Sequence, residues 1–209
     1  MKYDKNGILI EKKEEIERMF ETSINREVCK ENLLIVKKVF DKNKIEFRLV
    51  YGTLLGAVRE NNFIEGDQDT DLFLFREDRK LVLDCLKELE ENGFSLIRCL
   101  DNMLSIERKG DYIDLYFFKQ NSLADKLFNR VSCGHNFWWI WVSKDYCDKF
   151  EEIDFLGAKF RVFKNPVKWL EFTYGKDWKV PKKESADTRT FFSFITKQIG
   201  KFIKIFKRS

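Results

Sequence analysis

The chain has 209 residues, 44% of them apolar and 21 of them phenylalanine, which is enough for one domain with a substantial core and too apolar for a disordered protein. Its formal charge of +4 is local: six basic and no acidic residues fall in 189–209, and without them the charge becomes −2. Basicity confined to one stretch argues against a nucleic-acid-binding surface, and the single histidine, His135, excludes chemistry that needs two.

No apolar run reaches membrane-spanning length, and the opening MKYDKNGILIEKKEE lacks the apolar centre of a signal peptide, so a cytoplasmic protein is expected. Cys29, Cys85, Cys99, Cys133 and Cys147 are odd in number and never spaced Cys-x-x-Cys, which reads as reduced thiols. Cys133, His135 and Cys147 would supply three ligands to zinc, but a closed site needs four and no fourth is evident nearby.

In chain order, residues 11–43 read as helix in two segments, with Ile16, Met19, Phe20, Ile24, Leu34, Ile35 and Val39 forming a partly apolar face. Ile45, Phe47, Leu49 and Tyr51 alternate with Glu46, Arg48 and Val50, as in a strand running into Gly52-Thr53. A short helix over Leu54–Arg59 follows. Its first N–H groups and the Thr53 hydroxyl are suited to phosphate. Asp69 to Phe75 reads as a second strand, on which Asp69 and Asp71 share a face. Paired carboxylates repel unless a cation lies between them, and hard oxygen ligands select Mg2+ or Mn2+.

The apolar stripe in Arg76–Asn92 predicts a helix stopped at Gly93, followed by strands over Phe94–Cys99 and Met103–Arg108. In the next strand, Tyr112–Phe118, Asp114 sits among apolar and aromatic residues and needs a partner, for which Lys109 and Arg108 are the bland candidates. Residues 119–136 read as a polar, irregular surface excursion. A strand over Phe137–Val142 puts Trp139 and Trp141 on one face and Trp138 on the other. They would serve as core, or as an aromatic wall for a quaternary ammonium group. A hairpin turning at Gly157 follows, then a helix with Asn165 as cap, Pro166 as its first residue and Gly175 as its stop. From Phe191 to Arg208, apolar residues recur at helical spacing among lysines, as in helices that lie on anionic membranes or in a terminal helix packed on the core with its lysines in solvent.

The string YGTLLGAVR, then Phe63-Ile64 and the carboxylates Asp67, Asp69 and Asp71, resembles the LicD and fukutin family of phosphotransferases. Pro166, Leu170, Tyr174, Gly175, Trp178 and Pro181 resemble its C-terminal signature, so the likeness spans roughly 45–181. One departure is Gly66-Asp67-Gln68-Asp69-Thr70-Asp71 where many members have Trp-Asp-Asp-Asp-Ile-Asp. The resemblance implies an α+β nucleotidyltransferase-like fold, a mixed sheet flanked by helices, for a domain taken as 1–187; the basic amphipathic helix over 188–209 is read from spacing and charge alone. The resemblance also implies Asp69, Asp71 and Asp114 as catalytic, metal-binding carboxylates, and Gly52, Thr53 and Arg59 as phosphate-binding residues. The implied reaction moves phosphocholine or a phosphoalditol from a CDP-linked donor to a glycan hydroxyl, releasing CMP. A nucleotidyltransferase that leaves NMP on its acceptor, or a non-catalytic membrane-associated adaptor, are the competing expectations. The transferred group, acceptor and oligomeric state are not legible in the sequence.

Overall fold

The computed structural model describes residues 1–119, 123–135 and 138–181. The chain divides into two compact units, Met1–Asn165 and Pro166–Ser209. In the first, a one-turn 3-10 segment leads into α1 (Lys13–Met19). Helix α2 (Arg26–Lys42) starts where the Asn25 side chain accepts from the N–H groups of Glu27 and Val28 at 3.1 and 3.3 Å, satisfying donors that lack an intrahelical partner. Its buried residues Cys29, Leu33, Val36 and Phe40 recur every three or four positions, the stripe that faces a core.

Strand β1 (Phe47–Leu49) is short because the chain turns at once into α3 (Tyr51–Arg59), after which β2 (Thr70–Phe75) runs back through the core. Helices α4 (Arg79–Asp84) and α5 (Leu86–Glu91) follow, separated at Cys85, and Gly93 (φ 91°) takes the left-handed conformation that ends them. Then come β3 (Ser95–Cys99), β4 (Met103–Arg108) and β5 (Asp111–Phe118). Beyond them lie α6 (Leu123–Leu127), β6 (Arg130–His135), β7 (Trp138–Ser143) and α7 (Lys144–Cys147), then the hairpin of β8 (Phe150–Phe155) and β9 (Ala158–Phe163). The second unit contributes α8 (Pro166–Tyr174), ended by Gly175 at φ 91°.

The five-stranded sheet has the order β1-β2-β5-β4-β3. Only β2 and β5 are parallel, in a register that sets Asp71 opposite Asp114; the other pairs are antiparallel. The N-terminal segment folds over the β3 edge through an Ile8–Arg98 bridge. There Ile8, Leu9, Ile16, Ile97 and Tyr112 form a small apolar cluster with Phe20 packed against it.

Two expectations are corrected. Helix α3 begins at Tyr51, not Leu54, because Tyr51 takes a left-handed conformation (φ 45°) that turns strand into helix in one residue. The stretch 119–136, expected to be irregular, contains α6 and β6. The basic C-terminal segment and the boundary expected after residue 187 lie outside the described residues. Cys29, Cys85, Cys99 and Cys147 are free thiols, and among the described residues no helix is long and apolar enough to cross a membrane.

Candidate active site

The site forms at the N-terminal ends of the parallel pair β2 and β5. Asp71, the second residue of β2, is 5% exposed, and the start of α3 is laced to it twice. The Gly52 N–H donates to Asp71 Oδ2 at 3.1 Å, and the Asp71 N–H donates to the fully buried Thr53 hydroxyl at 2.8 Å. The task the structure gives Gly52 and Thr53 is therefore to fix Asp71. Half-buried Asp69 lies immediately before β2.

Asp114 on β5 is 3% exposed and held by three neighbours. The Ser105 hydroxyl donates to its Oδ1, the Tyr116 hydroxyl donates to its Oδ2 at 3.3 Å, and Arg98 Nη1 stands 3.7 Å from Oδ2. Lys109 and Arg108, the bland partners suggested by sequence, pair instead with Glu31 at 2.7 and 2.9 Å. Tyr116 also meets Tyr51 edge to face, with ring centroids 5.3 Å apart.

Burial pushes the carboxyls of Asp69 and Asp71 well above the usual range, and neighbouring charge adds to it: Asp114 and Asp67 act on Asp69, while Asp69, Asp67 and Asp114 act on Asp71. Burial also pushes Asp67 up to about 6. Among the described residues its Oδ2 is buried without a hydrogen-bond partner, and a Cβ placed on Gly52 would stand 2.6 Å from that oxygen. Among the described residues, the Arg98 charge offsets part of this at Asp69. Crowded carboxyls with an orphaned oxygen are what a divalent cation would relieve. Among the described residues no group of three or more His, Cys, Asp or Glu side chains is arranged to hold a metal by itself. The residues therefore fit an ion of the magnesium type, which takes one or two protein carboxylates, here Asp69 and Asp71, and completes its shell with phosphate oxygens and water.

Other expected residues lie apart. Arg59 is in the last turn of α3, about 10 Å along the helix from Gly52, and its Nε donates to Glu60 at 3.1 Å. Trp138, Trp139 and Trp141 are on β7, in register with His135, Gly134 and Ser132; their side chains lie outside the described residues. A cavity of about 330 Å³ lies at the opposite ends of β2 and β5, between Phe75, Asp78, Phe118 and Lys144, and it contains none of the carboxylates above. Sequence reading missed Arg98, Tyr112 and Phe20. No spacing pattern marks Arg98 and Phe20, which separate elements bring to the site, whereas Tyr112 shares a face of β5 with Asp114.

A parallel strand pair with carboxylates at its head, facing a helix whose first turn carries Gly52 and Thr53, defines a nucleotidyltransferase-like fold. The antibiotic-resistance factor ANT(2'')-Ia shares the architecture: 11% identity, a TM-score of 0.51, and coverage of 88% of this chain and all of that one. Residues 44–165, more than half of the chain, match the family described as LicD/FKTN/FKRP, nucleotidyltransferase domain, and the protein belongs to that family. The ribitol-5-phosphate transferases FKTN of Macaca fascicularis and Homo sapiens are each 28% identical to it over 167 residues, 76% of this chain. The chain spans 34% of the length of these relatives.

Proposed function

We propose that the protein transfers a phosphoalditol, with ribitol phosphate the first candidate, from a CDP-linked donor to a glycan hydroxyl. The observation that carries this reading is the register of Asp71 against Asp114, with Asp69 beside it, in a member of a family whose named relatives transfer ribitol 5-phosphate. Asp69 and Asp71 would hold Mg2+ or Mn2+. When bound, the ion neutralises charge that develops on the donor phosphates. Asp114, its two oxygens oriented by Ser105 and Tyr116, takes the proton of the acceptor hydroxyl. The freed oxygen bonds to the β-phosphorus, the bond from that phosphorus to the oxygen bridging it to the α-phosphorus breaks, and CMP leaves with the bridging oxygen. The product is a phosphodiester.

The test is to incubate the protein with CDP-ribitol, CDP-glycerol, CDP-choline and CDP-ethanolamine, with glycan acceptors and Mg2+ or Mn2+, and to measure CMP. CMP release that disappears on chelation and in Asp69→Asn and Asp71→Asn variants is the expected outcome. Pyrophosphate as product with CTP as donor would replace this reading with nucleotidyl transfer. Activity that survives chelation and both substitutions would remove the metal assignment.

A further inference from the structure

The site contains a cation that neither the sequence pattern nor the family match singles out. Arg98 sits where the pairing of β3 with β4 shifts register between Leu96 and Arg98, an irregularity that re-aims a side chain. On the other side of β3 the N-terminal segment fixes the backbone: the Leu9 N–H donates to the Ile97 carbonyl at 3.0 Å and the Cys99 N–H to the Gly7 carbonyl at 2.8 Å. The guanidinium lies 4.1 Å from the centroid of the Phe20 ring, and Phe20 in turn meets Tyr112 edge on at 4.9 Å. Phe20 and α1 precede residue 44, where the family match begins.

Among the described residues the contacts of Arg98 engage its charge but few of its N–H donors. Asp114 Oδ2, at 3.7 Å, is an ion-pair distance rather than a hydrogen bond, and among the described residues its hydrogen bond goes to the Met103 thioether at 3.7 Å, a weak acceptor. An arginine stacked on an aromatic ring has its planar fork pre-oriented, the arrangement suited to two parallel bonds to phosphate oxygens. It pairs with Asp114 at the head of β5 and its charge acts on Asp69, so a diphosphate held through an ion on Asp69 and Asp71 would come within its reach.

We propose that Arg98 binds the diphosphate of the donor, and that Phe20 is the positioning residue that holds it there, which makes the N-terminal segment a working part of the site. This rests on the donor being a nucleoside diphosphate derivative, and the experiment separates the two statements. Binding of CDP, UDP, ADP and GDP, each with Mg2+ or Mn2+, is measured by calorimetry, alongside the uncharged nucleosides. The wild-type chain is expected to bind at least one nucleoside diphosphate. Arg98→Gln should weaken that binding about ten- to a hundred-fold, the scale of losing bonds to a charged group, while the affinity for the nucleoside stays unchanged. Arg98→Lys should recover part of the loss, and Phe20→Leu, which keeps the charge and removes the stacking ring, should lose less than Arg98→Gln. Thermal melts check that each variant is folded. Wild-type binding that Arg98→Gln and Phe20→Leu leave intact overturns the assignment of Arg98 and spares the proposed reaction. An unfolded Arg98→Gln transfers the decision to Arg98→Lys and Phe20→Leu, and equal affinity in both overturns it as well. A wild-type protein that binds none of the nucleoside diphosphates overturns both statements.

Discussion

Gly52 is the residue whose size bears most directly on the site. Its amide fixes Asp71, and the missing side chain leaves room for the Asp67 carboxylate, since a Cβ there would fall 2.6 Å from Oδ2. Gly52→Ala is therefore expected to displace Asp67 and lower turnover at least ten-fold with little loss of helix α3, because the colliding atom is the end of a side chain rather than backbone. Turnover assays beside far-UV circular dichroism check both halves of that outcome. A second residue-scale expectation concerns acid. Glu31 is held at about 2 by hydrogen bonds from Arg108 and Lys109, below the ordinary carboxylate value. A depressed value in the folded state means stability that is present above about pH 4.5 and lost as pH falls through about 2. Urea midpoints from pH 7 to pH 2 should show wild type ahead of Glu31→Gln by a constant margin above pH 5. The two should converge only as pH approaches 2.

At the scale of elements, α3 is held by close backbone contact. A Cβ on Gly56 would stand 2.4 Å from the Asn62 carbonyl oxygen and 3.1 Å from the Ile64 nitrogen, so Gly56→Ala must push the helix off the loop that follows it. The expected cost is about 1 to 3 kcal/mol, read from chemical denaturation. On β1, Arg48 is 2% exposed, with Nε and Nη1 unpartnered among the described residues and its guanidinium 5.2 to 5.7 Å from the ring centroids of Phe73, Phe75 and Phe150. Burial pushes its pKa down, so the charge is held at a cost that stacking and a long 3.9 Å ion pair with Glu46 offset in part. Arg48→Met keeps the packing and removes that cost, and its stability should equal or exceed that of wild type, whereas Arg48→Ala should lose about 2 to 4 kcal/mol through the cavity left among the rings.

Legibility followed local pattern. The strands carrying Asp71 and Asp114 could be read because alternation and apolar runs are properties of neighbours in sequence, and Gly93, Gly157 and Gly175 marked turns by their conformational freedom. The start of α3 was misplaced because Tyr51 continues an alternating pattern while its φ of 45° ends the strand, and nothing in a tyrosine announces a left-handed backbone. The partners of Asp114 were invisible for a different reason: Ser105 comes from β4, Arg98 from a register shift in β3, and strand register is a tertiary property. The suggested ion pair with Lys109 or Arg108 failed because both side chains reach Glu31 on α2.

For the whole molecule, the excess of positive charge is local: six basic residues and no acidic ones occupy 189–209. Each basic residue near an anionic bilayer contributes on the order of 1 kcal/mol, so this segment is expected to attach the protein reversibly to anionic vesicles. Sedimentation of the full chain and of a version ending at Asp187, with anionic and neutral vesicles at low and high salt, tests it. Preference for anionic lipid should be present in the full chain, weaken in salt and vanish on truncation. Equal sedimentation of both versions removes the membrane reading.

The bond from the Asp71 amide to the buried Thr53 hydroxyl, which fastens α3 to β2, also makes the site observable without any substrate. That hydrogen can reach solvent only when helix and strand part, so in heavy water its exchange records how often the site comes undone. A catalytic centre that dissolves by local fraying would lose this hydrogen early. One that disappears only with the fold would lose it together with the amides of the central strands.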